Sequence, residues 1–360
     1  MTSTAPLVAP GASVAARSLV ARLHGLGSDQ VLFGHQDAFV YGNDGWTEPG
    51  ESDVRAVTGG HPAVVGFDLG RLELGHERNL DGVPFDSIRR GIGDAHAAGC
   101  VVSLSWHAVN PVTGGGYGHN TSPGTIARVL PGGSHHEVLR GWLARIARFL
   151  AGLLDDAGRP IPVVFRPYHE HTGDWFWWGL DGGMNRPADF IELWRHTFIE
   201  LHETHRLTDL IWALSPDRSR MPVDGLAESY LASHPGDDHV DVFGIDDYWD
   251  AGHPANPAPL DRQFEAYVRT LDVVGRLARE RGKLAALTET QVPSTLDRPW
   301  TGYLEPALTA TADTRHHAWA LVWRNPPGEP GGAPHPGAPG AADLAALRAD
   351  GVVGFVDAAP

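Results

Sequence analysis

Pro162–Phe165 (PVVF) running straight into Arg166–Gly179 (RPYHEHTGDWFWWG) is the stretch whose reading decides the fold. An unbroken apolar run is what a strand covered on both faces requires. The residues after it are of another kind: Arg166, Tyr168, His169 and Glu170, then a run of aromatic rings bracketed by Gly173 and Gly179. A strand that carries charged and aromatic groups at its C-terminal end is the repeating unit of an α/β barrel, where chemistry is mounted on the loops after the strands.

Working outward, seven further short apolar runs recur with room for a helix between them: Val31–Phe33, Ala63–Phe67, Val101–Ser105, Leu210–Ala213, Val240–Ile245, Leu284–Leu287 and Ala318–Val322. Helical patterns lie at Asp86–Ala98, Glu137–Asp155, Pro187–His205, Leu260–Arg281 and Gly302–Asp313. Within the third of these, Asp189–Glu203 repeats with a period of about 3.6 residues, and Pro187 sits near its start, where proline suits a helix. Strand–helix alternation repeated eight times predicts a (β/α)8 TIM barrel, with residues 1–360 as one catalytic domain. An open doubly wound sheet is the alternative, but no glycine-rich phosphate fingerprint comes after an early strand. Residues 326–340 (PPGEPGGAPHPGAPG) are too rich in Pro and Gly for helix or strand and predict a surface loop, after which Ala341–Asp350 forms a last helix.

The C-terminal ends of the predicted strands test the barrel. They read Gly34-His35-Gln36-Asp37, Asp68, Trp106-His107, Arg166–Glu170, Asp246-Asp247-Tyr248-Trp249, Thr288-Glu289-Thr290 and Trp323-Arg324-Asn325. Surface loops chosen at random favour Lys, Ser and Gly, whereas these ends are polar and aromatic. Sugars explain that mixture, because a pyranose offers an apolar C–H face to an aromatic ring and a rim of hydroxyls to Asp, His and Arg. Breaking a glycosidic bond then needs two flanking carboxyl groups. Glu170 and Glu289, each at a strand end, are best placed to be that pair. Trp175, Phe176, Trp177 and Trp178 are expected to form an exposed platform, since adjacent side chains on a regular element do not all face one core.

These stretches, together with SWH at 105–107, GIDDYW at 244–249, TET at 288–290, WRN at 323–325, GHQDAFVYG at 34–42 and GFDLG at 66–70, resemble glycoside hydrolase family 26. That family is dominated by β-mannanases and also contains mixed-linkage β-glucanases and β-1,3-xylanases. The resemblance covers nearly the whole chain and implies that Glu170 is the acid/base and Glu289 the nucleophile of a retaining β-mannanase. It implies that Tyr248 hydrogen-bonds the nucleophile. His107, Arg166, His169, Trp175, Asp246 and Trp323 would shape the site of the cleaved sugar, and Arg324 would reach the next sugar along. A mixed-linkage β-glucanase or β-1,3-xylanase is the alternative within the family. A non-catalytic carbohydrate-binding barrel is the alternative outside it, but pure binding would tolerate Gln or Ser at one of the two glutamate positions.

Composition narrows the partners. A formal net charge of −16, with no basic run, disfavours nucleic acid and acidic lipid surfaces and suits a neutral β-linked polysaccharide or oligosaccharide. No apolar run approaches the roughly 20 residues that cross a bilayer, and a monomer is expected. No signal peptide is visible in the first thirty residues, so the chain as written reads as cytoplasmic, or extracellular if a leader has been removed. The single cysteine, Cys100, excludes an internal disulfide and weakly suggests a reducing compartment; it is expected to be a small core residue.

Twenty histidines raise the question of a metal. His202-Glu203-Thr204-His205 is one residue short of the spacing zinc proteases use, and late in its helix it reads as a solvated face. His135-His136 and His316-His317 are adjacent pairs whose side chains diverge, so neither a metal nor a cofactor is expected. Glu73 and Glu77 read as solvated loop residues, with Glu73 near enough to the second strand to touch substrate.

Overall fold

A computed structural model describes residues 7–26, 29–118, 122–328 and 331–357. The eight predicted runs are the eight barrel strands: β1 Val31–Gln36, β2 Val64–Asp68, β3 Val101–Trp106, β4 Val163–Pro167, β5 Leu210–Leu214, β6 Val242–Asp246, β7 Leu284–Thr290 and β8 His317–Val322. All pair in parallel with their sequence neighbours, and β8 closes on β1 with Leu32 opposite Trp319 and His35 opposite Val322. A short strand, Val353–Asp357, adds to β1 from outside and pairs antiparallel with Gly60–Pro62.

Each strand reads as a continuous apolar run because its two faces pack against different apolar partners. One cluster takes Leu32, Val64, Val101, Val164, Ile211, Val242, Leu284 and Ala318, one from each strand, and is therefore the barrel interior. The other takes Val65, Val102, Phe165, Phe243 and Leu287 against the helices. Along the barrel axis the interior face, read two residues at a time, changes character. Val164 leads to Arg166, Val64 to Gly66 and Asp68, Val101 to Ser103 and Ser105, and Val242 to Gly244 and Asp246. The lower barrel is an apolar plug and the upper barrel is polar, so the active end is written into alternate residues of the strands.

A helix at Val14–Gly25 seals the apolar end, placing Leu19, Val20 and Leu23 into the interior cluster, with Ser13 accepting a hydrogen bond from the Ala16 amide as its cap. Along the chain this segment reads only as a short mixed stretch, and no helix is expected there. Predicted helices appear at Phe85–Ala97, His136–Ala151, Pro187–Ile199, Leu260–Glu280 and Ala341–Asp350. The third is continued by a π-helical turn over Glu200–Thr204, and the Gly302–Asp313 pattern is a π-turn at Trp300–Leu304 with a helix at Glu305–Thr309 after it. The described residues of the 326–340 loop contain neither helix nor strand, and 329–330 lie outside the described residues. No helix among the described residues is long and apolar enough to cross a membrane.

Candidate active site

Arg166 is the hub of the polar end. It points inward from β4, buried, and its guanidinium donates to Asp246 at 2.8 Å and to the Ser215 hydroxyl at 3.0 Å, and pairs with Glu289. Asp246, at the end of β6, also accepts from the Thr288 hydroxyl at 2.6 Å. Tyr248, two residues further on, donates its phenol to Glu289 at 2.8 Å. Strict alternation would put Glu289 on the outer face with Leu287. A register irregularity between Leu287 and Glu289 instead sets Glu289 beside Asp246, so that Glu289 faces the barrel interior.

Glu170 reaches the same place by another device. The β4 strand ends at Pro167, and Tyr168 and Glu170 both take left-handed backbone, with φ of 52° and 53°. Such conformations are costly for side-chain-bearing residues and persist where the surroundings over-determine them. Here the Glu170 amide donates to the Ser215 carbonyl at 2.7 Å, and the Trp175 indole N–H donates to the Glu170 carboxyl at 2.6 Å. One oxygen from each of Glu170, Asp246 and Glu289 lies within 4.8 Å of the others. Burial, and after it the charges of Glu289, Asp246 and Asp217, holds the Glu170 carboxyl well above the ordinary carboxylate range. Glu170 is thus disposed to stay protonated, while Glu289 receives donors from Arg166 and Tyr248.

His107 and His169 stand at the edge of this network. His107 Nδ1 lies 2.7 Å from the Asp68 carboxylate, and the two imidazoles meet Nε2 to Nε2 at 3.1 Å. The Trp323 ring lies 6.2 Å from that of His107. Arg324 is not part of the network around Glu289: it pairs with Asp81 at 2.9 Å and donates to the Tyr41 hydroxyl oxygen at 3.3 Å, on the side of β1.

Two expectations are corrected. Only Trp175 of the four-aromatic run is partly open; Phe176, Trp177 and Trp178 are buried, packed on one another and on Tyr168. The loop has no regular period, so the argument that adjacent rings must diverge does not apply, and Trp177 and Trp178 tie it down through hydrogen bonds to the Ala108 and His169 carbonyls. Glu73 is no solvated residue: it is fully buried and accepts from the Trp106 indole at 3.0 Å and the Val109 amide at 2.9 Å. Cys100 is buried just before β3, remote from the catalytic end, as expected. Sequence reasoning does not single out Ser215, Thr288 or the role of Asp68; the interior-face period that leads from Val64 to Asp68 and from Leu284 to Thr288 is the available signal.

The sequence profile of glycosyl hydrolase family 26 matches residues 8–303. A mannan endo-1,4-beta-mannosidase of Bifidobacterium adolescentis is 30% identical over 326 residues, which is 87% of this chain and 31% of that protein. A mannan endo-1,4-beta-mannosidase of Bacillus subtilis is 29% identical over 60% of this chain and 58% of its own length. The chain therefore spans between about a third and three fifths of these relatives. Among solved structures, a GH26 beta-mannanase from Bacteroides ovatus superposes with a TM-score of 0.87 at 34% identity, covering 96% of this chain and 95% of that one. An endo-beta-1,4-mannanase from Cellulomonas fimi gives 0.88 at 32%, covering 99% and 78%. With a closed parallel barrel, two glutamates at the ends of β4 and β7, and a profile match over most of its length, the chain belongs to glycosyl hydrolase family 26.

Proposed function

We propose that the chain is a retaining β-mannanase that hydrolyses β-1,4-mannosidic bonds in mannan or manno-oligosaccharides, acting as one catalytic domain. The observation that carries the mechanism is the approach of the Glu170 and Glu289 carboxyl oxygens within 4.8 Å. With one oxygen of each group that close, the pair is nearer to the about 5–5.5 Å of retaining enzymes than to the about 6.5–9.5 Å of inverting ones, which supports direct attack by Glu289. Membership of the family and the likeness to a mannan endo-1,4-beta-mannosidase and a beta-mannanase support the choice of substrate.

In this reading Glu170, held protonated by burial and neighbouring charge, gives its proton to the glycosidic oxygen while Glu289 attacks the anomeric carbon. The leaving chain departs as an alcohol and an α-linked glycosyl ester remains on Glu289. Glu170, now a carboxylate, takes a proton from water as that water attacks from the β face, returning Glu289 and a β-configured product. Tyr248 and Arg166 hold Glu289 in place, and Asp246 anchors Arg166. Trp175 steers the Glu170 carboxyl. His107, His169 and Trp323 would line the site of the cleaved sugar, with Arg324 one sugar further out.

Three carboxylates so close together also have the spacing of a metal site. Arg166 already supplies the positive charge between Asp246 and Glu289, so a divalent cation would be repelled from the same place. The deciding experiment is product profiling on β-1,4-mannan, mannohexaose, mixed-linkage glucan and β-1,3-xylan. Cleavage of mannan and mannohexaose is expected, and cleavage of glucan or xylan with mannan left untouched would refute the reading.

A further inference from the structure

His107 and His169 present a constraint that the proposed mechanism does not use. Their Nε2 atoms face each other at 3.1 Å, and such a contact holds one proton: one nitrogen donates and the other accepts. The outer nitrogen of His107, Nδ1, lies 2.7 Å from Asp68, while the outer nitrogen of His169, Nδ1, is buried and has no hydrogen-bond partner among the described residues. A buried carboxylate obliges the first nitrogen to carry a hydrogen. If His107 also carries the shared hydrogen, it is an imidazolium, and neutral His169 must bear its own hydrogen on the unpaired Nδ1. If His169 donates instead, His107 is neutral and the unpaired Nδ1 is a bare acceptor. The charge on His107 therefore sets whether the free nitrogen of His169 gives or takes a hydrogen bond.

Asp68 decides between the two. It is buried, and it accepts from the Ser105 hydroxyl at 2.8 Å and the Gly70 amide at 2.7 Å, so two further donors hold it anionic beside His107. We propose that Asp68 is a positioning residue of the active site: through a two-imidazole relay it keeps His107 as an imidazolium and fixes His169 as the tautomer with a hydrogen on Nδ1, a donor ready for a sugar oxygen. The groups facing His107 are Asp68 from β2, Arg166 from β4, His169 from the loop after β4, Glu289 from β7 and Asp81 from the loop after β2, with the rings of Tyr117, Phe176 and Trp323 around it. Those facing His169 are His107, Arg166 and His171. Against the cost of burial, Asp68 and then Glu289 raise the His107 pKa above its usual value, whereas burial, His107, Arg166 and His171 hold His169 well below it. The two shifts agree with one proton placed on His107.

The relay's bearing on turnover rests on the hydrolase reading above, but its existence does not, and nitrogen NMR separates the two. In full-length protein labelled with 15N-histidine, assigned with His107→Gln and His169→Gln, both His107 nitrogens should show the protonated shift at pH 6. His169 should show a protonated Nδ1 and a bare Nε2. In Asp68→Asn the carboxylate charge is gone: His107 should become neutral at that pH and the His169 hydrogen should move to Nε2. His107 should then lose its second proton about one pH unit or more lower, as expected for loss of an adjacent opposite charge, and kcat/KM should decline above that lower pH. A neutral His107 in the unsubstituted protein at pH 6 overturns the proposal, and that measurement needs no variant to fold. A folded Asp68→Asn variant that keeps the tautomers and loses activity equally at every pH overturns it too, because that is what a merely structural aspartate would do.

Discussion

Replacing Glu170 with Ala separates the two carboxyl groups by role. In the proposed mechanism Glu170 is the acid of the site, and burial, Glu289, Asp246 and Asp217 favour its protonated form. The two carboxyl groups beside it are already engaged, Asp246 by Arg166 and Thr288, and Glu289 by Arg166 and Tyr248. A positioned general acid contributes roughly 10²–10⁴-fold, or about 3–5 kcal/mol at ~1.4 kcal/mol per tenfold. With both of these carboxyl groups engaged, hydrolysis of mannan should fall toward the upper part of that range. An aryl mannoside with a good leaving group needs little protonation, so its first step should survive while deglycosylation, deprived of its base, becomes limiting. The assay is stopped-flow release of the aryl group, which should show a burst matching the enzyme concentration. Azide, entering the space left by the carboxyl group, should restore turnover and yield a β-glycosyl azide. If azide instead rescued Glu289→Ala, giving an α-azide, while Glu170→Ala stayed inert, the assignment of roles would be reversed.

The same contacts fix other outcomes. Arg166→Met leaves the buried carboxylates of Asp246 and Glu289 without their cation, so it should destabilise the fold by about 3–5 kcal/mol as well as abolish turnover; a calorimetric Tm equal to that of the unsubstituted protein would contradict the pairing. For Glu170 the sign of the pH effect is fixed: its folded pKa lies above the unfolded value, so between the two the native state binds more protons and loses stability as pH rises. Glu170→Gln removes that loss and should gain stability relative to the parent as pH rises above about 4.5, read as a Tm difference that widens with pH; a constant difference would show the carboxyl to be unperturbed. EDTA should leave turnover unchanged because Arg166 takes the place of a cation, and loss on chelation that one divalent ion restores would refute this.

Much of the barrel was legible along the chain. Eight strands announced themselves as apolar runs because both faces of each strand are covered, and that requirement acts on every residue in the run. The glutamates were legible for a related reason: a barrel displays its chemistry at strand ends, so Glu170 and Glu289 sit where strand-forming residues stop. The seal at Val14–Gly25 was not, because only one narrow stripe of it is apolar and its partner surface is assembled from all eight strands. Helix ends were blurred where Glu200–Thr204 and Trp300–Leu304 depart from the α-helical period.

The sequence by itself determined the period and order of the elements and the types of group at the barrel mouth, because these depend on neighbours within a few residues. Tertiary structure alone decided how those groups face one another. The bulge that turns Glu289 inward, the left-handed turns that carry Glu170, the burial of Phe176, Trp177 and Trp178, and the meeting of Asp68, His107 and His169 all depend on contacts between segments far apart along the chain. Their protonation depends on burial and on charges brought close only by closure of the barrel, and neither quantity exists along an extended chain.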